Sequence, residues 1–160
     1  MARRREGRDL KEIFLMEQSF ISRSAQETLC IGQKIGSSLM GLHPIIGLFG
    51  DLGAGKTTLL KGIIHGAAEI DSQDICSPTF NYLNIYQGKL SSVYHFDLYR
   101  LLDATQFVSA GFDDFFYLKG LCCLEWAEKI DCLLPKETIR IYITHLHETQ
   151  RQIVILGLYV

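Results

Sequence analysis

Nine residues constrain this chain more than any others: Gly50-Asp51-Leu52-Gly53-Ala54-Gly55-Lys56-Thr57-Thr58. They fit G-x-x-x-x-G-K-(S/T), the pattern of a loop that wraps phosphates. Its glycines let successive backbone N–H groups turn inward without a Cβ clash, forming an anion-binding nest. Lys56 brings a positive charge to the β- and γ-phosphates, and Thr57 offers a hydroxyl to Mg²⁺. A helix starting near Lys56 points its positive end at the same phosphates. The motif requires a strand before it and a helix after it, and both are present. Pro44 to Phe49 is a short apolar run that reads as a buried parallel strand. Thr57 to Ile64 carries apolar residues at helical spacing.

The rest of the chain fits an α/β architecture: three layers, a central parallel sheet extended by antiparallel strands, as in P-loop NTPases. With 160 residues, a single domain over 13–160 is expected, preceded by a mobile basic tail over 1–12. Ile13–Met16 is a candidate edge strand. Ser24-Ala25-Gln26-Glu27 is a capping box that starts a helix. Ala25, Leu29, Gly32, Gly36 and Leu39 then share one face of small and apolar residues, suited to packing on a sheet. Phe80–Tyr86 and Leu90–Asp97 read as an antiparallel hairpin around a three-residue turn, Gln87-Gly88-Lys89. Asp103 caps a further helix. Leu121–Leu124 reads as a second central parallel strand ending at Glu125. The last two strands are the alternating run around Ile139, Ile141 and Ile143 and its return over Ile153–Val160.

Composition narrows the class. A formal charge of −2 argues against a dedicated nucleic-acid binder. The five cysteines form no C-x-x-C, so reduced, mostly buried thiols of a cytosolic protein are expected, not disulfides or zinc. Arg3-Arg4-Arg5 opens like a signal peptide, but charged residues break up the segment after it, and no apolar run reaches membrane-spanning length. His145 and His147 read as same-face strand histidines rather than metal ligands.

A phosphate loop needs an acid at the end of an adjacent strand to hold Mg²⁺. Two runs end that way: Val93 to Phe96 at Asp97, and Leu121 to Leu124 at Glu125. Carboxyl ends of parallel strands face the ligand crevice of an open α/β sheet. Asp97 is taken as metal partner. Glu125 is either a second metal partner or the group that orients the attacking water. Ser77-Pro78-Thr79 follows the loop's helix where a γ-phosphate-sensing switch segment is found in related hydrolases, with Thr79 able to face Mg²⁺ or phosphate. Trp126, the single tryptophan, fits either beside a base or partner, or in the core.

Taken together, the loop, Ser77-Pro78-Thr79-Phe80 with Tyr86, His95-Phe96-Asp97-Leu98-Tyr99-Arg100-Leu101, and Glu125-Trp126 resemble the TsaE (YjeE) ATPases of bacteria. The likeness runs from about Ser24 to the C-terminal hairpin. It implies an ATP- and Mg²⁺-dependent cytoplasmic ATPase serving threonylcarbamoyladenosine synthesis on tRNA, acting with TsaD and TsaB, with tRNA contacted indirectly. It further implies that Thr57 and Asp97 handle Mg²⁺, that Glu125 serves hydrolysis or metal binding, and that Trp126 lies near the nucleotide or a moving loop. One departure is Ala127, where that family often has proline after Glu-Trp, which relaxes the loop.

Other classes fit less well. A small-molecule or nucleoside kinase would share the loop, but such enzymes close an arginine-bearing lid, and Arg100 is the only arginine between Arg23 and Arg140. A GTPase would carry N-K-x-D, which is absent. A non-hydrolysing scaffold would not need both Asp97 and Glu125.

Overall fold

The computed structural model describes residues 17–157. In chain order the strands and α-helices are β1 (Glu17–Ser22), α1 (Ala25–Ser38), β2 (Ile45–Phe49), α2 (Lys56–Ala68), β3 (Leu83–Gln87), β4 (Ser92–Asp97), α3 (Ala104–Ser109), β5 (Leu121–Glu125), β6 (Ile139–His145) and β7 (Arg151–Leu156). All seven strands join one sheet in the order β1-β7-β6-β2-β5-β4-β3. The middle four, β6, β2, β5 and β4, run parallel. β3 adds antiparallel at one side, and β7 with β1 at the other. This is the expected parallel core with antiparallel flanks.

Side chains alternate across β2 and divide the core into two layers. Ile46 and Leu48 pack with Ile35 of α1, with Leu39 at its C-cap and with Leu59, Leu60 and Ile63 of α2. Ile45 and Phe49 face the opposite layer, where Phe96, Phe107, Leu124 and Ile130 meet. That layer holds α3 and two 3₁₀ segments, Phe112–Tyr117 and Ala127–Leu133. Among the described residues no helix is long and apolar enough to cross a membrane.

Ser24 caps α1 as expected, but the return bond of the capping box falls on the residue before the cap. The Ser24 hydroxyl accepts from the Glu27 N–H at 3.0 Å, and the Glu27 carboxylate accepts from the Arg23 N–H at 2.6 Å. The face of α1 differs from the expected one. Ala25 is exposed, and Gly32 and Gly36 sit on α2 rather than on the sheet. A Cβ on Gly36 would lie 2.1 Å from the Ile63 carbonyl oxygen, and one on Gly66 2.2 Å from that of Gln33. Glycines on both helices let the backbones approach to contact. Gly36→Ala is therefore expected to lower unfolding stability by about 1–3 kcal/mol, because the helices must part. A urea transition with an unchanged midpoint would contradict this close approach.

Other boundaries shift for local reasons. The expected strand from Phe80 begins only at Leu83, because Tyr82 adopts a left-handed φ of 63°. β4 begins at Ser92, so the hairpin connection is Gly88–Ser91, four residues and not three. β7 starts at Arg151 and ends before Gly157, whose φ of 88° turns the chain. The expected strand at Ile13–Met16 and the basic tail lie outside the described residues. All five cysteines are free, but only Cys122 and Cys123 are buried, and Cys76 and Cys132 are exposed. Burial pushes the Cys122 thiol up to about 12.

Candidate functional site

β2, β5 and β4 lie side by side and parallel, so they end at one rim of the sheet. β2 delivers the glycine loop there. β5 ends in Glu125 and β4 in Asp97, and these two acids are register partners. An open cleft of about 450 Å³ lies over this rim. It is lined by Leu52 through Thr58, by Ser77 and Thr79, by Asp97 and Tyr99, by Glu125 and Trp126, and by Arg151. Gly50 and Asp51, at the start of the loop, do not line it.

Backbone geometry explains the loop's composition. Gly53 and Gly55 have φ of 75° and 106°, where a Cβ is strained. Gly50 lies so close to β6 that a Cβ would sit 2.4 Å from the Ile143 carbonyl oxygen. Gly55 is also the N-cap of α2 and supplies no side-chain cap, so the helix opens toward the cleft without its own acceptor. Two loop carbonyls are tied by side chains of β6 and β7. His145 Nε2 lies 2.6 Å from the Gly53 oxygen, and Arg151 Nε donates to that of Ala54 at 2.8 Å. Holding carbonyls outward leaves neighbouring N–H groups free to turn inward.

Lys56 is folded into its own loop. Its Nζ donates to the carbonyls of Gly50 at 2.5 Å and Asp51 at 2.8 Å, and lies 3.7 Å from the Trp126 ring centroid. Burial lowers its pKa from the usual lysine value, while Glu128, Glu125, Asp51 and Asp97 pull it back up. Trp126 reaches this position through a left-handed backbone, φ 61°, costing about 1 kcal/mol or more for a residue with a side chain. Its ring also packs on Tyr99, at 4.9 Å between centroids. Ala127, directly after it, is fully buried at the start of a 3₁₀ segment.

The two acids hold different partners. Glu125 Oε2 accepts from the Thr57 hydroxyl at 2.7 Å, and Glu125 Oε1 lies 2.8 Å from His95 Nε2. Asp97 Oδ2 accepts from the hydroxyls of Ser77 at 2.5 Å and Thr79 at 2.9 Å, and Oδ1 from the Tyr99 N–H at 3.0 Å. The acid bonded to Thr57 is thus Glu125, and Asp97 fastens the segment after α2. The fold brings Ser77, Thr79, Asp97, Glu125, Lys56, Thr57, Thr58 and Trp126 to this one cleft. Arg100 does not line it; its guanidinium lies 4.3 Å over the Phe80 ring.

Three residues, His95, His145 and Arg151, hold site contacts that the sequence reading did not assign to them. His95 had a signal, since it stands two residues before Asp97 and a strand's side chains repeat every two. Arg151 and His145 had none: they flank a hairpin whose approach to the loop depends on strand order.

Among the described residues, no group of three or more His, Cys, Asp or Glu is placed to hold a metal by itself. The oxygens gathered at the acids are the two carboxylates and the hydroxyls of Thr57, Ser77 and Thr79. That donor set fits Mg²⁺, which binds through one or two carboxylates plus waters and substrate phosphates.

The parallel sheet, glycine loop and uncapped α2 define a P-loop nucleotide-binding fold. A family model described as "Threonylcarbamoyl adenosine biosynthesis protein TsaE" matches residues 22–153. The chain belongs to the TsaE family. It is 36% identical over 135 residues to the Treponema pallidum tRNA threonylcarbamoyladenosine biosynthesis protein TsaE, covering 84% of this chain and 97% of that one. The Bacillus subtilis protein of the same name is 37% identical over 128 residues, covering 80% and 78%. The crystal structure of Bacillus subtilis YdiB superposes with a TM-score of 0.69 at 29% identity, covering 89% of this chain and 86% of that one.

Proposed function

We propose that this chain is a cytoplasmic Mg²⁺-dependent ATPase that cycles the TsaD–TsaB complex during formation of N6-threonylcarbamoyladenosine at position 37 of tRNA. The observation that carries it is the Thr57 hydroxyl on Glu125, with Asp97 its register neighbour, directly beside the glycine loop. Binding alone needs the loop and Lys56. Two ionisable acids gathered at the phosphate end are what hydrolysis adds.

Thr57 and Asp97 would hold Mg²⁺, with Glu125 either a second metal partner or the group that orients the attacking water, and the loop from Gly50 to Thr58 would hold the phosphates. The bound cation supplies positive charge against the charge developing on the transferred phosphoryl oxygens. Glu125 is buried and held at both oxygens, which suits it to orient water in a fixed direction. Thr79 on Asp97 links the Ser77–Phe80 segment to the metal side, the connection a nucleotide-sensing switch requires. Membership of the TsaE family supports the tRNA-modification role and its partners. The net charge of −2 supports an indirect relation to tRNA.

The cations lining the cleft are Lys56 and Arg151, and Arg151 already commits its Nε to Ala54. Transition-state charge left without an arginine finger costs orders of magnitude in rate. The isolated chain is expected to hydrolyse ATP slowly, and TsaD with TsaB to stimulate it at least about tenfold. Phosphate release measured with and without the pair tests this; equal turnover overturns the coupling. Transfer of the phosphoryl group to a small acceptor would favour a kinase instead.

A further inference from the structure

We infer that His95 is the positioning residue for Glu125, setting the direction in which its carboxylate faces the cleft. This rests on the reading of Glu125 as the hydrolytic acid. His95 is wholly buried, with Nε2 2.8 Å from Glu125 Oε1. Its Nδ1 has no hydrogen-bond partner. A neutral imidazole has one donor nitrogen and one acceptor nitrogen. An ionised carboxylate only accepts, so Nε2 carries the hydrogen. The ring's single polar contact is therefore aimed at Glu125.

The arrangement clamps the carboxylate from two sides. His95 on β4 takes Oε1, and Thr57 on α2 takes Oε2. One bond alone leaves the carboxylate free to turn about its last torsion, which is broad for glutamate. Two bonds from separate elements fix its plane. His95 itself cannot turn away, because Cys123 stands opposite it on β5, Asn84 on β3, and Tyr86 stacks at 6.5 Å between ring centroids. Partners of this kind fix ring and carboxylate orientation, and losing one costs about 10–100-fold in activity.

Substitutions separate positioning from core filling. A glutamine carries its amide nitrogen out to about where Nε2 lies; asparagine stops near Nδ1; leucine fills the space without a donor. His95→Leu and His95→Asn are expected to lower kcat by about 10–100-fold, with KM and nucleotide affinity within about threefold of the parent. His95→Gln is expected to recover most of that loss. A second readout needs no nucleotide: in the free protein the His95 Nε2 proton should be a slowly exchanging NMR signal that moves or vanishes in Glu125→Gln. Equal kcat for His95→Asn and His95→Gln, or a ring proton indifferent to Glu125→Gln, overturns the proposal. Parental hydrolysis by Glu125→Gln itself would instead remove the reading of Glu125 as the hydrolytic acid, and the proton signal would still decide the His95 contact.

Discussion

Lys56→Ala is expected to weaken ATP binding by at least about a hundredfold, roughly 3 kcal/mol, without unfolding the protein. Lys56 is the cation enclosed by the glycine loop, and its ammonium bonds to two carbonyls of that same loop and to the Trp126 face. Those partners are neutral, and burial leaves the charge short of water, which is why its pKa is lowered. A phosphate offers the counter-charge that these neutral groups do not. The free protein tolerates loss of the ammonium, because replacing a desolvated charge relieves the folded state as well as weakening it. The pH dependence has a definite sign. Between the lowered folded value and 10.5 the unfolded chain binds more protons at this position, so stability attributable to Lys56 rises with pH there. The difference between parent and Lys56→Ala should show that rise in denaturant titrations. Calorimetric titration with a non-hydrolysable ATP analogue decides the main point: affinities within about threefold, less than 1 kcal/mol apart, would mean that Lys56 is not the phosphate-holding group.

The parts of this fold that depend on short-range rules were readable in the sequence. The Ser24 and Asp103 caps, the strand–loop–helix around Gly50–Thr58, and strands ending in Asp97 and Glu125 each rest on residues within about one turn or one strand of one another. Even the meeting of Asp97 with Glu125 was legible, since both end apolar runs expected to lie parallel. What was not legible depends on neighbours far along the chain. Gly32 and Gly36 gave a face of small residues, which a sheet or a helix can cover equally well; only the matching glycines of α2, Gly62 and Gly66, decide for the helix. The left-handed Tyr82 delays β3 although its neighbours favour a strand. The division of labour between the acids turned on which hydroxyls face which acid: Thr57 faces Glu125, and Ser77 and Thr79 face Asp97. Arg151 reaches Ala54 from a strand two places away in the sheet, and no local pattern encodes that.

Glu125→Ala is expected to leave ATP affinity within about threefold and to lower kcat by about 10²–10⁴-fold, the range of a lost positioned acid or base. The asymmetry comes from where the side chain sits. Glu125 is negative, so it adds nothing to phosphate affinity by direct attraction, and its oxygens are taken by Thr57 and His95. The nest of N–H groups, Lys56 and the open end of α2 supply the affinity and are untouched. Loss of the carboxylate strands a hydroxyl and a ring nitrogen in a buried place, at about 1–3 kcal/mol, so some loss of stability accompanies it. Glu125→Gln separates the two effects. Its amide keeps an oxygen acceptor and the shape but removes the charge, so it should restore much of the stability and little of the turnover. Unfolding transitions, nucleotide titrations and single-turnover phosphate release on both variants read the three quantities apart. If Glu125→Gln hydrolysed ATP at the parental rate, the charge would have no part in the reaction, and Asp97 would become the acid on which hydrolysis depends. If both variants lost binding as fully as Lys56→Ala, Glu125 would belong to the phosphate site through the metal and not to the chemical step.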